Sequence, residues 1–471
     1  MRHSAYPFLA VSSAGIVLIG MLSSAATRSH YGGTLRVEIQ AKASSLDTSE
    51  SSNAGEAGTI VRLCDLIYNR LVRLDGSGHP QPSLSVSWEQ DAQYQNWRFK
   101  LRRGVKWHDG TLLTPEEVLS TFEGLAPGGS VHVANDTLEV DMGHARPDLL
   151  MALATDPRWM IRRPVVAPDI MPLGTGPFRV TQWQTARRAV LQANEDYWDS
   201  RPYVDTIEIQ MGRPSRDQLL DLELGKADVF ELDPSDARRA QQEGKKVWTS
   251  AAVDLLFLRF DLNKPLVQDQ RLREAVAASI DRLAIQKVLA QSYGEVAGGI
   301  FPQWQSGYSF LFSTVMDLNR ARRLAQAMVT PPTLKLGYDP NDTLTRQIAE
   351  RIAVNARDAG LTLQVGPLPL GWLRMSDTGT DVRVERLRIG APTFGAAVRQ
   401  AASKLGLSTE ALNDRPEQVY SAERKLVGSF TEVPLLCVPE LVGLGPRVRD
   451  WSPTPWGEWH LENVSLAVEQ P

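Results

Sequence analysis

Three hydrophobic periods succeed one another along the chain, and each predicts an element. Just past Gly32-Gly33, Leu35, Val37 and Ile39 alternate with polar residues, the period-two pattern of a half-buried strand. Across 59–74 the spacing lengthens: Ile60, Leu63, Ile67 and Leu71 recur at helical intervals, and Asp75-Gly76 supplies a turn. Strands are expected at 97–101 and 105–109, the second as partner of the first. A helix follows from Thr114-Pro115-Glu116-Glu117 to Phe122, because Thr at the cap, Pro at the first helical position and Glu at the third form a capping box. Beyond Gly174-Thr-Gly-Pro-Phe178, strands are predicted at 179–183, 189–193, 204–211, 225–230, 255–260, 333–337, 361–365, 383–390 and 434–441. Helices are predicted at 216–224, 271–289, 317–328, 345–359 and 417–427. Helices and strands interleave throughout, so the fold class is α/β with mixed sheets.

One apolar stretch has a different character. Arg2 and His3 precede an apolar run over 8–22, and Ser24 and Ala26 stand at the spacing favoured by signal peptidase. Residues 1–26 therefore read as a secretory signal peptide cleaved after Ala26, with an uncleaved anchor as the alternative. No Cys lies near that point to carry a lipid. Export would permit a disulfide between the two cysteines, Cys64 and Cys437, but both lie in apolar surroundings that favour buried free thiols.

Composition excludes more than it selects. The 471 residues exceed one ordinary domain, and 51 Lys plus Arg against 55 Asp plus Glu leave a net charge of -4. That balance argues against nucleic acid as partner, since phosphate binding calls for a basic excess. The seven His are scattered, with no His-x-His or Cys-x-x-Cys spacing, so no metal or cofactor is expected. No nucleophile elbow or phosphate-binding loop is present: Gly174-Thr-Gly is followed by neither Lys-Ser/Thr nor a helix. Glu116 and Glu117 are accounted for by capping. An enzyme is not expected.

Several segments, in order, resemble the peptide/nickel-binding family (family 5) of extracytoplasmic solute-binding proteins of ABC importers. They are Leu66-Ile-Tyr-Asn-Arg-Leu-Val-Arg-Leu-Asp75; Trp97-Arg-Phe-Lys-Leu-Arg-Arg-Gly-Val-Lys-Trp-His-Asp-Gly-Thr111, running into Thr114-Pro-Glu-Glu-Val118; Gly174-Thr-Gly-Pro-Phe178; Asn194-Glu-Asp-Tyr-Trp198; and Phe260-Asp-Leu-Asn263 before Gln270 to Arg282. The tail Trp459-His-Leu-Glu-Asn-Val-Ser465 is similar to the ending of dipeptide receptors. The resemblance implies a bilobal periplasmic-binding-protein type II fold with a hinge, its larger lobe I from 31–255 plus 440–471 and a shortened lobe II from 256–439. It implies a periplasmic, monomeric receptor that captures a peptide or other small organic solute between the lobes and delivers it to ABC permease subunits. A degenerate member acting as an accessory or sensory binding protein without transport is the alternative.

By analogy, ligand contacts would come from Ser44, Ser45 and Asp47, from Gly174, Thr175 and Gly176, and from Trp304, Tyr308, Arg346 and Trp372, with Arg346 as a carboxylate binder. The chain departs from the family where an Asp-Pro usually follows the strand at 383–390. Ala391-Pro-Thr-Phe-Gly395 stands there without an acid, so a peptide ammonium would lack its usual partner, and a solute without that group is expected.

Overall fold

The computed structural model describes residues 31–46, 54–163, 171–307, 312–328, 332–369, 371–406 and 416–467. The signal segment, Asp47 and Tyr308 lie outside them.

One eleven-stranded sheet runs through the molecule. Its strands, in chain order, are β1 (Thr34–Glu38), β2 (Phe178–Gln184), β3 (Arg188–Ala193), β4 (Thr206–Gln210), β5 (Val229–Glu231), β6 (Lys246–Phe260), β7 (Glu295–Val296), β8 (Thr333–Tyr338), β9 (Thr362–Pro367), β10 (Val382–Arg388) and β11 (Glu432–Leu444). They lie in the order β9-β8-β10-β6-β11-β5-β1-β4-β3-β2, with β7 alongside β11, and the pairings are mixed parallel and antiparallel. β6 and β11 sit at the centre and are the longest, pairing antiparallel from Lys246–Leu444 to Arg259–Glu432. Their register shifts between Thr249 and Ala252 and again between Ala252 and Asp254. Such bulges bend a strand and re-aim its side chains.

Apolar burial is divided on either side of this central pair. One cluster gathers Leu35, Val37, Phe178, Ile207 and Val229 with the late residues Val442, Val464 and Leu466. A second gathers Leu256, Leu258, Phe260, Val276, Ile348, Val382, Val384 and Leu436. A separate four-stranded sheet, Ser85–Gln90, Asn96–Leu101, Ser130–Ala134 and Thr137–Asp141, packs around Trp97, Phe99 and Phe122. The capping box forms as expected: the Thr114 hydroxyl accepts from the Glu117 amide, and Glu117 accepts from the Thr114 amide.

Three expectations need correcting. The first helix spans Ala54–Ile67 and stops short of Leu71, because the Ile67 carbonyl accepts a bond from the Gly176 amide and the chain enters the strand Val72–Leu74. Residues 105–109 do not pair with Asn96–Leu101; that strand is flanked by Ser85–Gln90 and Thr137–Asp141. The long helix expected at 271–289 ends at Ser279, where Asp281 caps a new turn by accepting from the Ala284 amide, and a π-helical turn follows over Ile285–Leu289. Cys64 and Cys437 are both buried, and the Cys64 thiol donates to the Leu46 carbonyl at 3.3 Å.

Candidate ligand cleft

The cleft follows from where apolar faces of the central strands run out. In β10, Val382 and Val384 pack into the core with Leu256, Leu258 and Phe260 of β6 and with Leu436 and Val438 of β11. Side chains alternate along a strand, so the next positions on the same face are Arg386 and Arg388 in β10, Asp254 in β6 and Glu440 in β11. Apolar character in β10 passes to the opposite face, where Leu387 joins the cluster of Leu255, Phe257 and Cys437. Three neighbouring strands thus turn from hydrophobic to charged at one level.

A cavity of about 920 Å³ opens over that level, lined by residues from both sides of the central pair. Its floor is a ladder of alternating charges. Arg62, on the first helix, binds Glu231 at 3.2 Å and also reaches Glu440. Arg388 donates to the Glu440 carboxylate at 2.6 Å, to the Trp456 carbonyl at 2.8 Å and to Asp254 at 3.4 Å. Arg386 donates to Asp254 at 3.2 Å and to Asp342 at 2.7 Å. Each arginine lies between two carboxylates, the arrangement that offsets the cost of withdrawing charge from water. Arg62 also stacks 4.5 Å from the centre of the Trp459 ring. Beside the ladder, Asp233 is pushed up to about 6, mainly by burial and then by Asp342. Farther along, Arg259 serves two buried carboxylates, Glu385 at 3.6 Å and Glu432 at 3.0 Å. Burial and the neighbouring Glu385 push Glu432 up to about 8, against the pull of Arg259.

The residues expected to contact ligand separate into three groups. Ser44 and Trp372 line the cavity, whereas Ser45 lies next to Ser44 but off the lining. Gly174, Thr175 and Gly176 are placed elsewhere, in a buried turn packed on the first helix. A Cβ on Gly174 would stand 1.9 Å from the Ile67 carbonyl oxygen, and Thr175 donates to Asn69 at 3.0 Å. His108 clamps the same turn: its Nδ1 accepts from the Gly174 amide at 3.3 Å, and its Nε2 lies 3.2 Å from the Gly176 carbonyl. Burial pushes His108 down to about 4 and keeps it neutral. Trp304 and Arg346 are not brought to the cleft either. Trp304 donates to the Ala252 carbonyl at 3.0 Å and is 44% exposed. Arg346 lies half-exposed on the helix Thr343–Asp358, 3.9 Å from Glu350, the solvated pairing of helix neighbours four apart.

The arginines that do reach the cleft, Arg62, Arg259, Arg386 and Arg388, were missed. For Arg386 and Arg388 the sequence signal is the phase change within Val382-Arg-Val-Glu-Arg-Leu-Arg388, where apolar residues switch from even to odd positions. Among the described residues, no group of three or more His, Cys, Asp or Glu is placed to hold a metal ion.

The model of bacterial extracellular solute-binding proteins, family 5, matches residues 79–396, well over half of the chain. The chain belongs to that family. The dipeptide-binding protein of Escherichia coli is 22% identical over 85% of this chain and 89% of its own length. Among solved structures, NikA from Staphylococcus aureus in complex with Ni(L-His)2 superposes with a TM-score of 0.79 at 18% identity, covering 92% of this chain and all of NikA. DppA from Helicobacter pylori in complex with the peptide STSA also gives 0.79 at 18% identity, over 93% and 98% of the two chains. These structural likenesses establish the bilobal binding-protein fold. The chain is a ligand-binding receptor of the ABC-importer type, and the family's members are binding proteins. No helix among the described residues is long and apolar enough to cross a membrane.

Proposed function

We propose that this receptor captures a small organic solute or peptide in the cleft above β6 and β11 and delivers it to the permease subunits of an ABC importer. It works outside the cytoplasm, as a monomer and without catalysis. The observation that carries this reading is the 920 Å³ cavity itself, whose walls come from both halves of the sheet and whose floor is the strand pair that joins them. A solute seated there touches both halves at once, so its binding energy favours the closed arrangement.

The lobe limits proposed are 31–255 with 440–471, and 256–439. The core clusters support them: early residues pack with Val442 to Leu466, while Leu256 to Val438 pack together. Ligand contacts are assigned to Ser44 and Trp372, together with Arg62, Asp233, Asp254, Arg386, Arg388 and Glu440. The sensory alternative is not favoured, because the cavity retains ligand-sized volume and paired charge. Small-angle scattering and melting curves with and without solute pools test the proposal. Compaction with a melting shift that grows with solute concentration is expected, and a chain that neither compacts nor gains stability with any pool would refute it.

A further inference from the structure

Charge in the cleft is not balanced. Seven carboxylates line the cavity against six basic side chains, Lys42, Arg62, Arg259, Arg386, Arg388 and Lys404, leaving one negative charge in excess. The excess has a location. Asp233 stands at the cap position of the helix Pro234–Gln242, yet its side chain makes no capping bond, and among the described residues it accepts only from Gln40 Nε2, at 3.4 Å. The charged groups that act on it are Asp342 and Arg386 from the second lobe and Asp236 from its own helix. Arg386 is already divided between Asp342 and Asp254. Among the described residues Asp233 is therefore a cleft carboxylate without an ion pair, and it lines the same cavity as Asp342, a carboxylate on the opposite lobe.

Among the described residues, other unmet groups lie along the same cavity. Glu440 Oε2 is buried without a hydrogen-bond partner. Trp459, only 8% exposed, lines the cavity, and its indole N–H has no partner; the Trp372 N–H has none either. Buried polar groups left unpaired are costly, and in a binding cavity a ligand is what completes them. An indole N–H calls for an acceptor, Asp233 for a donor carrying positive charge, and Glu440 Oε2, on a carboxylate already paired with Arg62 and Arg388, for one further donor.

Resting on the receptor reading above, the geometry points to a solute with a cationic end, a guanidinium or ammonium group seated between Asp233 of the first lobe and Asp342 of the second, and an acceptor group for the Trp459 indole N–H. A planar guanidinium suits the site best, because it donates to two carboxylates at once. Bridging opposite lobes, the cation would draw together two carboxylates that repel each other in its absence, coupling recognition to closure. The acid missing after β10 is thus replaced from Asp233 and Asp342, in elements that the strand at 383–390 does not contain.

The test uses the purified protein with three matched probes: Nα-acetyl-arginine, Nα-acetyl-lysine and Nα-acetyl-citrulline, the last a neutral near-isostere of the first. Calorimetric titration is expected to show acetyl-arginine binding at least about tenfold more tightly than acetyl-citrulline. In Asp233→Asn and Asp342→Asn the preference should collapse to within about twofold, since each removes one anionic arm. Asn retains the capping ability that Asp342 exerts on the Thr345 amide, so both variants should fold. A merely structural Asp233 would lower the ligand-free melting temperature when replaced; here it should hold or rise. Equal binding of arginine and citrulline probes, an undiminished preference in Asp233→Asn, or no binding by any probe overturns the inference. If another solute still compacts the protein, the receptor reading survives that failure; if none does, both fall.

Discussion

Replacing Arg388 by Met isolates the contribution of the ladder to stability. Arg388 gives one short bond to Glu440 at 2.6 Å, one to the Trp456 carbonyl at 2.8 Å and a weak one to Asp254 at 3.4 Å. Its side chain is 24% exposed, and those of Glu440 and Asp254 are 15% and 13% exposed, so the network is largely withdrawn from water. Breaking a fully buried pair by removing one partner costs about 3–5 kcal/mol. Here both orphaned carboxylates keep a second arginine, Glu440 through Arg62 and Asp254 through Arg386. Met also preserves the packing of the aliphatic stem, which brings the expected loss to about 2 kcal/mol. Urea unfolding followed by circular dichroism measures it. Glu440→Gln in the Arg388→Met background should cost less than in the wild type, with a coupling of about 1 kcal/mol. A single-mutant loss below about 0.5 kcal/mol, or strict additivity in the cycle, would show that the ladder is held by its surroundings rather than contributing to them.

Three further outcomes are expected. Gly443→Ala should destabilise by more than about 2 kcal/mol in urea titration, because the new Cβ would fall 1.9 Å from the ring of Phe230, its fully buried cross-strand partner. Gly174→Ala should lower stability through the clash with the Ile67 carbonyl and leave solute affinity unchanged once refolded; a selective loss of affinity would restore that turn to the binding site. Asp233, held up at about 6 from an ordinary 3.8, binds its proton in the folded state at pH values where the unfolded chain has released it. Stability contributed by that group is therefore present near pH 4 and lost as pH rises toward 6, and Asp233→Asn should flatten this part of the melting-temperature profile, an unchanged slope contradicting the assignment.

Much of the fold was legible because local signals and tertiary structure agreed. The capping box at Thr114, the alternation that forms β1, and the Asp317 cap with its helix Leu318–Gln326 each appear where expected. The failures occur where a tertiary contact overrides a continuing pattern. The spacing from Ile60 to Leu71 is unbroken, yet the helix ends at Ile67 because the Gly174–Gly176 turn docks on its last carbonyl. Helical spacing also runs on past Ser279, but Asp281 finds better partners in the Ala284 amide and in Asn355, which accepts from the Asp281 amide. The helix Phe394–Leu405 went unseen because its run of alanines and glycine carries little periodic signal; it packs by close approach of small residues such as Ala397 and Ala401.

The cleft was the least legible part, and the reason is physical. A ligand-facing charge must stand on an element stiff enough to hold it, so it occupies a strand position where pattern reading expects core. Arg386, Arg388, Asp254 and Glu440 occupy such positions, one residue pair beyond valines and leucines on the same faces. In sequence they look like solvated strand ends. Only the pairing of three strands at one level shows that their charges meet, since Asp254 stands directly opposite Arg388 in the register of β6 and β10. The missing acid after β10 pointed toward a solute without a free ammonium group, because it counted charge along one segment. The cavity gathers charge from many elements, with seven carboxylates against six basic side chains in its lining. Charge complementarity is a property of the assembled cleft, which no single segment of the sequence displays.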